Sequence, residues 1–153
     1  MSIKVLIINT LFPPNITGGA ERSVMFLSQA LLSQGKNVVV ATLTPNDPYT
    51  EIDDNGIKTY YLKLANIYWP FKKEQENPLY RLIWHILDAY NPIMALKIAR
   101  IMDIEKPDVI HTNNVAGFSI AVWQQANKRK IPVVHTLRDH YLLCSRTTMF
   151  SRN

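Results

Sequence analysis

Apolar residues in this chain fall into short continuous runs separated by longer segments of helical period. Lys4 to Asn9, read Lys-Val-Leu-Ile-Ile-Asn, is a nearly unbroken β-branched run of the kind buried on both faces of a parallel sheet, and it predicts a central first strand. From Ala20 the period changes. Val24, Leu27 and Leu31 recur at helical spacing and Gly35 follows as a stop signal, which predicts a helix over Ala20 to Gln34. Val38 to Leu43 reads as the second strand, and Thr44-Pro45-Asn46-Asp47-Pro48 breaks regular structure after it. Ile57 to Leu64 alternates behind an Asn55-Gly56 turn and reads as the third. The aromatic, proline-broken stretch from Asn66 to Phe71 and the charged Lys72-Lys73-Glu74-Gln75-Glu76 predict an exposed loop. Helices are expected over Leu79 to Tyr90 and Pro92 to Ile104, with Asn91-Pro92 as a kink or a new start. Pro107 to His111 is the fourth strand, Phe118 to Lys128 a helix, and Pro132 to Thr136 the fifth strand.

Strands alternating with helices require right-handed crossovers, so the pattern predicts a doubly wound, Rossmann-like α/β domain. Its parallel sheet would carry helices on both faces in the strand order 3-2-1-4-5. Winding then reverses between the first and fourth strands. The loops after Asn9 and His111 border the crevice where such sheets bind ligands.

Length and composition change this picture little. The 153 residues fit one domain, residues 1–153, and the 17 Lys and Arg against 12 Asp and Glu give +5. The excess is spread along the chain, so no nucleic-acid arm is expected, while phosphorylated small molecules and acidic membrane surfaces both fit. Cys144 stands alone and excludes an intramolecular disulfide and a cysteine-cluster metal site, and no metal is expected. The N-terminus has no secretory leader pattern and no apolar run approaches the roughly 20 residues that span a bilayer, so a cytoplasmic protein is expected.

The chemistry concentrates in three places. Leu11 to Arg22 joins the first strand to the first helix through Gly18-Gly19, where the backbone can approach a ligand and a helix start offers N–H groups to an anion. A tight turn explains the same glycines. Glu21, in the first helical turn, is favoured there by the helix dipole regardless of function. His111, Asn113 and Asn114 follow the fourth strand, placed to bond sugar hydroxyls or to make an ordinary turn. His135, Arg138, Asp139 and His140 follow the fifth; Arg138 suits a phosphate, and a histidine in an apolar strand is as readily packed as ligand-binding. Tyr60, Tyr61, Tyr68, Trp69, Phe71, Tyr80 and Trp84 lie among Lys58, Lys63, Lys72, Lys73 and Arg81, a mixture that serves either a core with a solvated rim or a peripheral membrane contact. Dinucleotide oxidoreductases are disfavoured, since Gly-x-Gly-x-x-Gly is missing and no acidic residue ends the second strand; no P-loop follows the glycines either.

The Pro13-Pro14 loop with Gly18-Gly19-Ala20-Glu21, Pro107 to His111, and Val134-His135-Thr136-Leu137-Arg138-Asp139-His140-Tyr141-Leu142-Leu143-Cys144 together resemble the N-terminal domain of family 4 glycosyltransferases. The resemblance implies a GT-B enzyme of two facing Rossmann-like domains that transfers a sugar from a nucleotide-sugar donor, with retention and without an obligatory metal or cofactor. It places Gly18 and Gly19 beside donor phosphates or the transferred sugar. It puts His111, Asn113, Asn114, Arg138 and His140 at the acceptor, with His135, Arg138 and Asp139 as candidates for the chemistry. The family pattern carries His where this chain has Arg138. It also implies a glycan or lipid-linked acceptor, work at the inner face of the membrane, and a C-terminal donor-binding domain that this chain lacks. A truncated, inactive half-enzyme is therefore expected, with a stand-alone flavodoxin-like binding module as the alternative.

Overall fold

The computed structural model describes residues 2–53, 55–71, 77–138, 140 and 142. Its elements run β1 (Lys4–Ile8), α1 (Gly19–Ser33), β2 (Asn37–Thr44), β3 (Tyr49–Ile52), β4 (Lys58–Lys63), α2 (Pro78–Ala89), α3 (Pro92–Glu105), β5 (Val109–Thr112), α4 (Ala121–Lys128) and β6 (Val133–His135). The sheet order is β3-β4-β2-β1-β5-β6. Five strands are parallel, in the predicted order 3-2-1-4-5.

The sixth strand is a correction. Tyr49–Ile52 pairs antiparallel with β4, from Tyr49 opposite Tyr61 to Ile52 opposite Lys58. All four of its residues are exposed, so no alternation betrays it; the hairpin is set instead by Asp53, whose Oδ1 accepts the N–H groups of Asn55 (3.0 Å) and Ile57 (2.8 Å) around Gly56 at φ +83°.

Alternation along the buried strands divides the core in two. Val5 and Ile7 with Val38 and Val40 meet Val24, Met25 and Leu31 of α1. Leu6 and Ile8 with Val39, Ala41 and Leu43 meet Met94, Ile98 and Met102 of α3 and Val122 and Ala126 of α4. Each such side chain contributes roughly 1.5–3 kcal/mol relative to exposure, and together they lock β1 at the centre.

Local chemistry decides the helix boundaries. Asn77 and Asn91 each precede a proline at the first helical position, and their Oδ1 atoms accept the N–H groups of Leu79 and Met94, both at 3.0 Å. Asn91-Pro92 is thus a new start and not a kink. The last helix begins at Ala121 rather than Phe118, because Gly117 at φ +83° and Ser119 at φ +66° turn the chain first. A Cβ on Gly117 would lie 2.5 Å from Leu43 Cδ1, so this glycine is required by packing as well as by conformation.

At the amino ends of the strands, buried Glu105 gathers Lys58 Nζ (2.6 Å), Tyr60 Oη (2.5 Å) and Lys4 Nζ (3.2 Å). Burial raises its pKa, but the hydrogen bonds from Lys58, Tyr60 and Lys4 outweigh it and hold the carboxyl down at about 2. The clamp ties α3 to β1 and β4. It leaves the opposite, carboxyl edge of the sheet for function.

Candidate functional site

The crevice forms where β1 and β5 end. Past Ile8 the chain bends on Asn9, whose buried amide donates from Nδ2 to Leu11 O (2.6 Å) and accepts the Asn114 N–H at Oδ1 (3.0 Å). Thr10 N–H donates to Asn114 O (3.0 Å) and its hydroxyl to Ala116 O (2.8 Å). Asn114 Oδ1 in turn accepts the Ala116 N–H (3.1 Å). Asn114 therefore stitches the β5 loop to the β1 loop. Asn9 and Thr10 are the partners that sequence reasoning missed; the signal was two polar residues closing an otherwise apolar strand at the switch point.

Beyond this stitch, Thr17, Gly18 and Gly19 with Ile16 and Arg22 line an open depression of about 310 Å³ at the start of α1. Gly18 has extended backbone, and a Cβ there would meet Glu21 Oε2 at an ordinary 3.7 Å; at Gly19 a Cβ would meet nothing within 4 Å. Neither glycine is demanded by a turn or by packing. Glu21 is explained without a ligand, since its carboxylate accepts the Gly18 N–H (2.8 Å) and caps the helix.

Across β5, the side chains divide by face. His111 lies on the α1 face, 2.8 Å from Thr136 Oγ1 through its Nε2. Burial, then Arg138 and then His135 hold its pKa below the ordinary imidazole value, so it is neutral at pH 7. Thr112 and His135 lie on the opposite face. Trp123 Nε1 donates to Thr112 Oγ1 (3.1 Å), the Thr112 hydroxyl sits 2.9 Å from His135 Nδ1, and the His135 and Trp123 rings meet edge-on at 5.1 Å. His135 is thus packed under α4, away from His111.

Asn113 stands at the end of β5. Its N–H donates to Ile8 O (3.0 Å) and its Oδ1 accepts from Arg138 Nε (2.8 Å). Its Nδ2 is buried and has no hydrogen-bond partner among the described residues. His111, Asn113, Thr136 and Arg138 are therefore brought into one cluster, while His140 is exposed and Asp139 and Cys144 lie outside the described residues. Among the described residues no three of His, Cys, Asp and Glu gather as a metal set.

The aromatic and basic stretch is divided between core and surface, with Phe71, Tyr80, Lys63 and Arg81 exposed. Trp84 and Tyr61 are buried, the latter donating to Pro13 O, and Tyr60 serves the Glu105 clamp. Tyr68 and Trp69 are half-buried, and the stretch expected as an exposed loop contributes Trp69 to the core beside α3. Lys72 and Lys73 lie outside the described residues.

Comparison with known proteins places this geometry. The sequence profile described as Glycosyltransferase Family 4 matches residues 17–152. A Klebsiella pneumoniae relative, an "uncharacterized 42.6 kDa protein in cps region", is 40% identical over 141 residues, covering 92% of this chain and 38% of its own length. The chain thus spans well under half of that relative. Sucrose-phosphate synthase from Thermosynechococcus elongatus superposes with a TM-score of 0.64 at 19% identity, over 94% of this chain and 36% of that one. MurG from Acinetobacter baumannii superposes with a TM-score of 0.54 at 15% identity, over 96% and 40% respectively. These two show a shared fold.

Proposed function

The chain belongs to Glycosyltransferase Family 4, and from that premise we propose that it is the acceptor-side, N-terminal half of a retaining hexosyltransferase of GT-B architecture. Its donor is a nucleotide sugar and its acceptor a glycan or lipid-linked sugar, handled at the cytoplasmic face of the membrane without metal or organic cofactor. One observation carries the reading. Gly18 and Gly19 open the first helix at the switch point although neither backbone conformation nor internal packing asks for glycine.

The space they leave belongs to something outside this domain. Held over α1 by a second, donor-binding domain, the diphosphate of the donor would meet the unpaired N–H groups of the first helical turn, which offset the negative charge that grows as the sugar departs. On the β5 side, Asn113 Nδ2, without a partner among the described residues, would donate to an acceptor hydroxyl, and Arg138 holds the amide in that orientation through Oδ1. His111, neutral at pH 7, adds no competing charge. His140 completes the acceptor side, with Asp139 a candidate for the chemistry.

Sugar transfer by the full-length protein and by its Gly19→Trp variant tests this. Because a side chain at Gly19 has room in the folded domain, the variant keeps its melting temperature and loses about a hundredfold in transfer rate, the scale of a lost anion site. Undiminished transfer would sink the proposed site. Residues 1–153 alone give no transfer.

A further inference from the structure

Two arginines of this domain are held through the same nitrogen to opposite effect. Arg129 Nε and Nη2 donate to Asp103 Oδ1 (2.7 Å) and Oδ2 (2.8 Å), and the carboxylate takes up the charge. Arg138 Nε donates instead to Asn113 Oδ1 (2.8 Å), an amide oxygen that orients the guanidinium without neutralising it. No carboxylate among the described residues pairs with Arg138, and its Nη1 and Nη2 donate to none of them. The half-buried side chain thus keeps its charge and an open fork of two N–H groups, the geometry that receives a carboxylate or a phosphate through two bonds.

The surroundings add a donor and no negative charge. Asn113 is 2% exposed, and its Nδ2 has no partner among the described residues. His111 is neutral at pH 7, with Nε2 2.8 Å from Thr136 Oγ1. A partly desolvated cation beside a buried, unpaired amide donor is costly until acceptor atoms meet both. A neutral sugar offers hydroxyls, which must donate as well as accept, and the one acceptor of the amide, Asn113 Oδ1, is already taken by Arg138. An oxyanion only accepts.

Position gives this chemistry a role. Asn113 follows β5 and Arg138 follows β6, neighbouring parallel strands, so both stand at the carboxyl edge of the sheet beside the switch point. Neither lines the depression at Gly18 and Gly19, so an anion here has a seat of its own, apart from the one proposed for the donor.

We propose that the acceptor sugar carries an anionic group, a carboxylate or a phosphate, and that Arg138 selects it through its open guanidinium fork, with Asn113 Nδ2 on one of the same oxygens. Arg138 is then a specificity-determining residue as well as a support for the amide. The proposal rests on the reading of this edge as the acceptor side and adds a substrate class to it.

The test is proton NMR titration of His111 in the chain, with the resonance assigned by its loss in His111→Gln. Arg138 holds the imidazole midpoint down, so an anion seated on the guanidinium offsets that effect and moves the midpoint up. D-glucuronate and glucose 6-phosphate are added in turn at constant ionic strength, with D-glucose as the neutral control. Upward movement with an anionic sugar and none with glucose is expected, and the stronger response tells carboxylate from phosphate. Arg138→Gln raises the midpoint at the outset and removes the response. Arg138→Lys keeps the charge without the fork and weakens binding about tenfold. A midpoint indifferent to both anionic sugars, an equal response to glucose, or a response that survives Arg138→Gln overturns the inference. No transfer is read, so these outcomes leave the Gly19→Trp result untouched; undiminished transfer by that variant would in turn sink the donor site and leave the anion response standing.

Discussion

Arg138 Nε donates to Asn113 Oδ1 at 2.8 Å, while Nδ2 of the same amide is buried and faces no partner among the described residues. Arg138 thereby fixes which end of the amide is the acceptor and leaves Nδ2 as the donor end. A buried amide left half-bonded costs about 1–3 kcal/mol unless a ligand or water completes it, and this one stands at the switch point of the sheet.

Asn113→Asp separates binding from architecture. The new carboxylate pairs with Arg138, so stability is kept or raised. The donor is replaced by a second acceptor, so transfer by the full-length protein falls about tenfold or more, chiefly in the acceptor KM. Unchanged kinetics in a folded variant would show that Nδ2 meets no substrate.

His111 supplies a pH prediction. Its folded pKa lies below the ordinary 6.5, chiefly through burial and next through Arg138. The folded state therefore disfavours the charged ring: the stability is complete above pH 6.5 and declines as pH falls through the folded value. Proton NMR titration of the imidazole should give a midpoint below 6.5, and Arg138→Gln should move it upward. A midpoint indifferent to Arg138→Gln would show that the guanidinium does not act on this ring.

Glu105 governs the acid side of stability. Its folded pKa, about 2 against an ordinary 4.5, is depressed, so its contribution is complete above 4.5 and is lost as pH falls toward 2. Glu105→Gln should cost about 2 kcal/mol at neutral pH, because Lys4 and Lys58 are left sharing an uncharged acceptor while both can still turn to water. Urea unfolding at neutral and at acid pH checks this: the gap between parent and variant should close as pH falls. A constant gap would assign the loss to packing.

Much of this molecule follows from residue order. The β-branched run at Lys4–Ile8, the helical period from Val24 to Leu31 and the Asn-Pro starts at Asn77 and Asn91 specify strands, helices and caps within a few residues. Right-handed crossovers then make 3-2-1-4-5 the simplest order for the five parallel strands, and that order places Gly18, Gly19 and Asn113 at one edge. Where local signals conflicted or were silent, packing decided. Tyr49–Ile52 became a strand because β4 offered a free edge behind the Asp53 turn. Phe118 left the helix because Gly117 and Ser119, both at positive φ, turn the chain before Ala121.

The sharpest division runs through the site. Periodicity and turn chemistry depend on neighbours a few residues away, so the chain by itself determined the fold class and the Gly18-Gly19 loop. Only tertiary structure decided that His135 packs beneath Trp123 while His111 joins Asn113, because adjacent strands place alternate side chains on opposite faces and their register is set across the whole sheet. It likewise decided that α2 turns Trp84 and Asp88 inward and leaves Leu82 and Ile86 uncovered. An apolar helix has several faces that would bury equally well, and the choice among them rests on which polar groups the rest of the fold can satisfy.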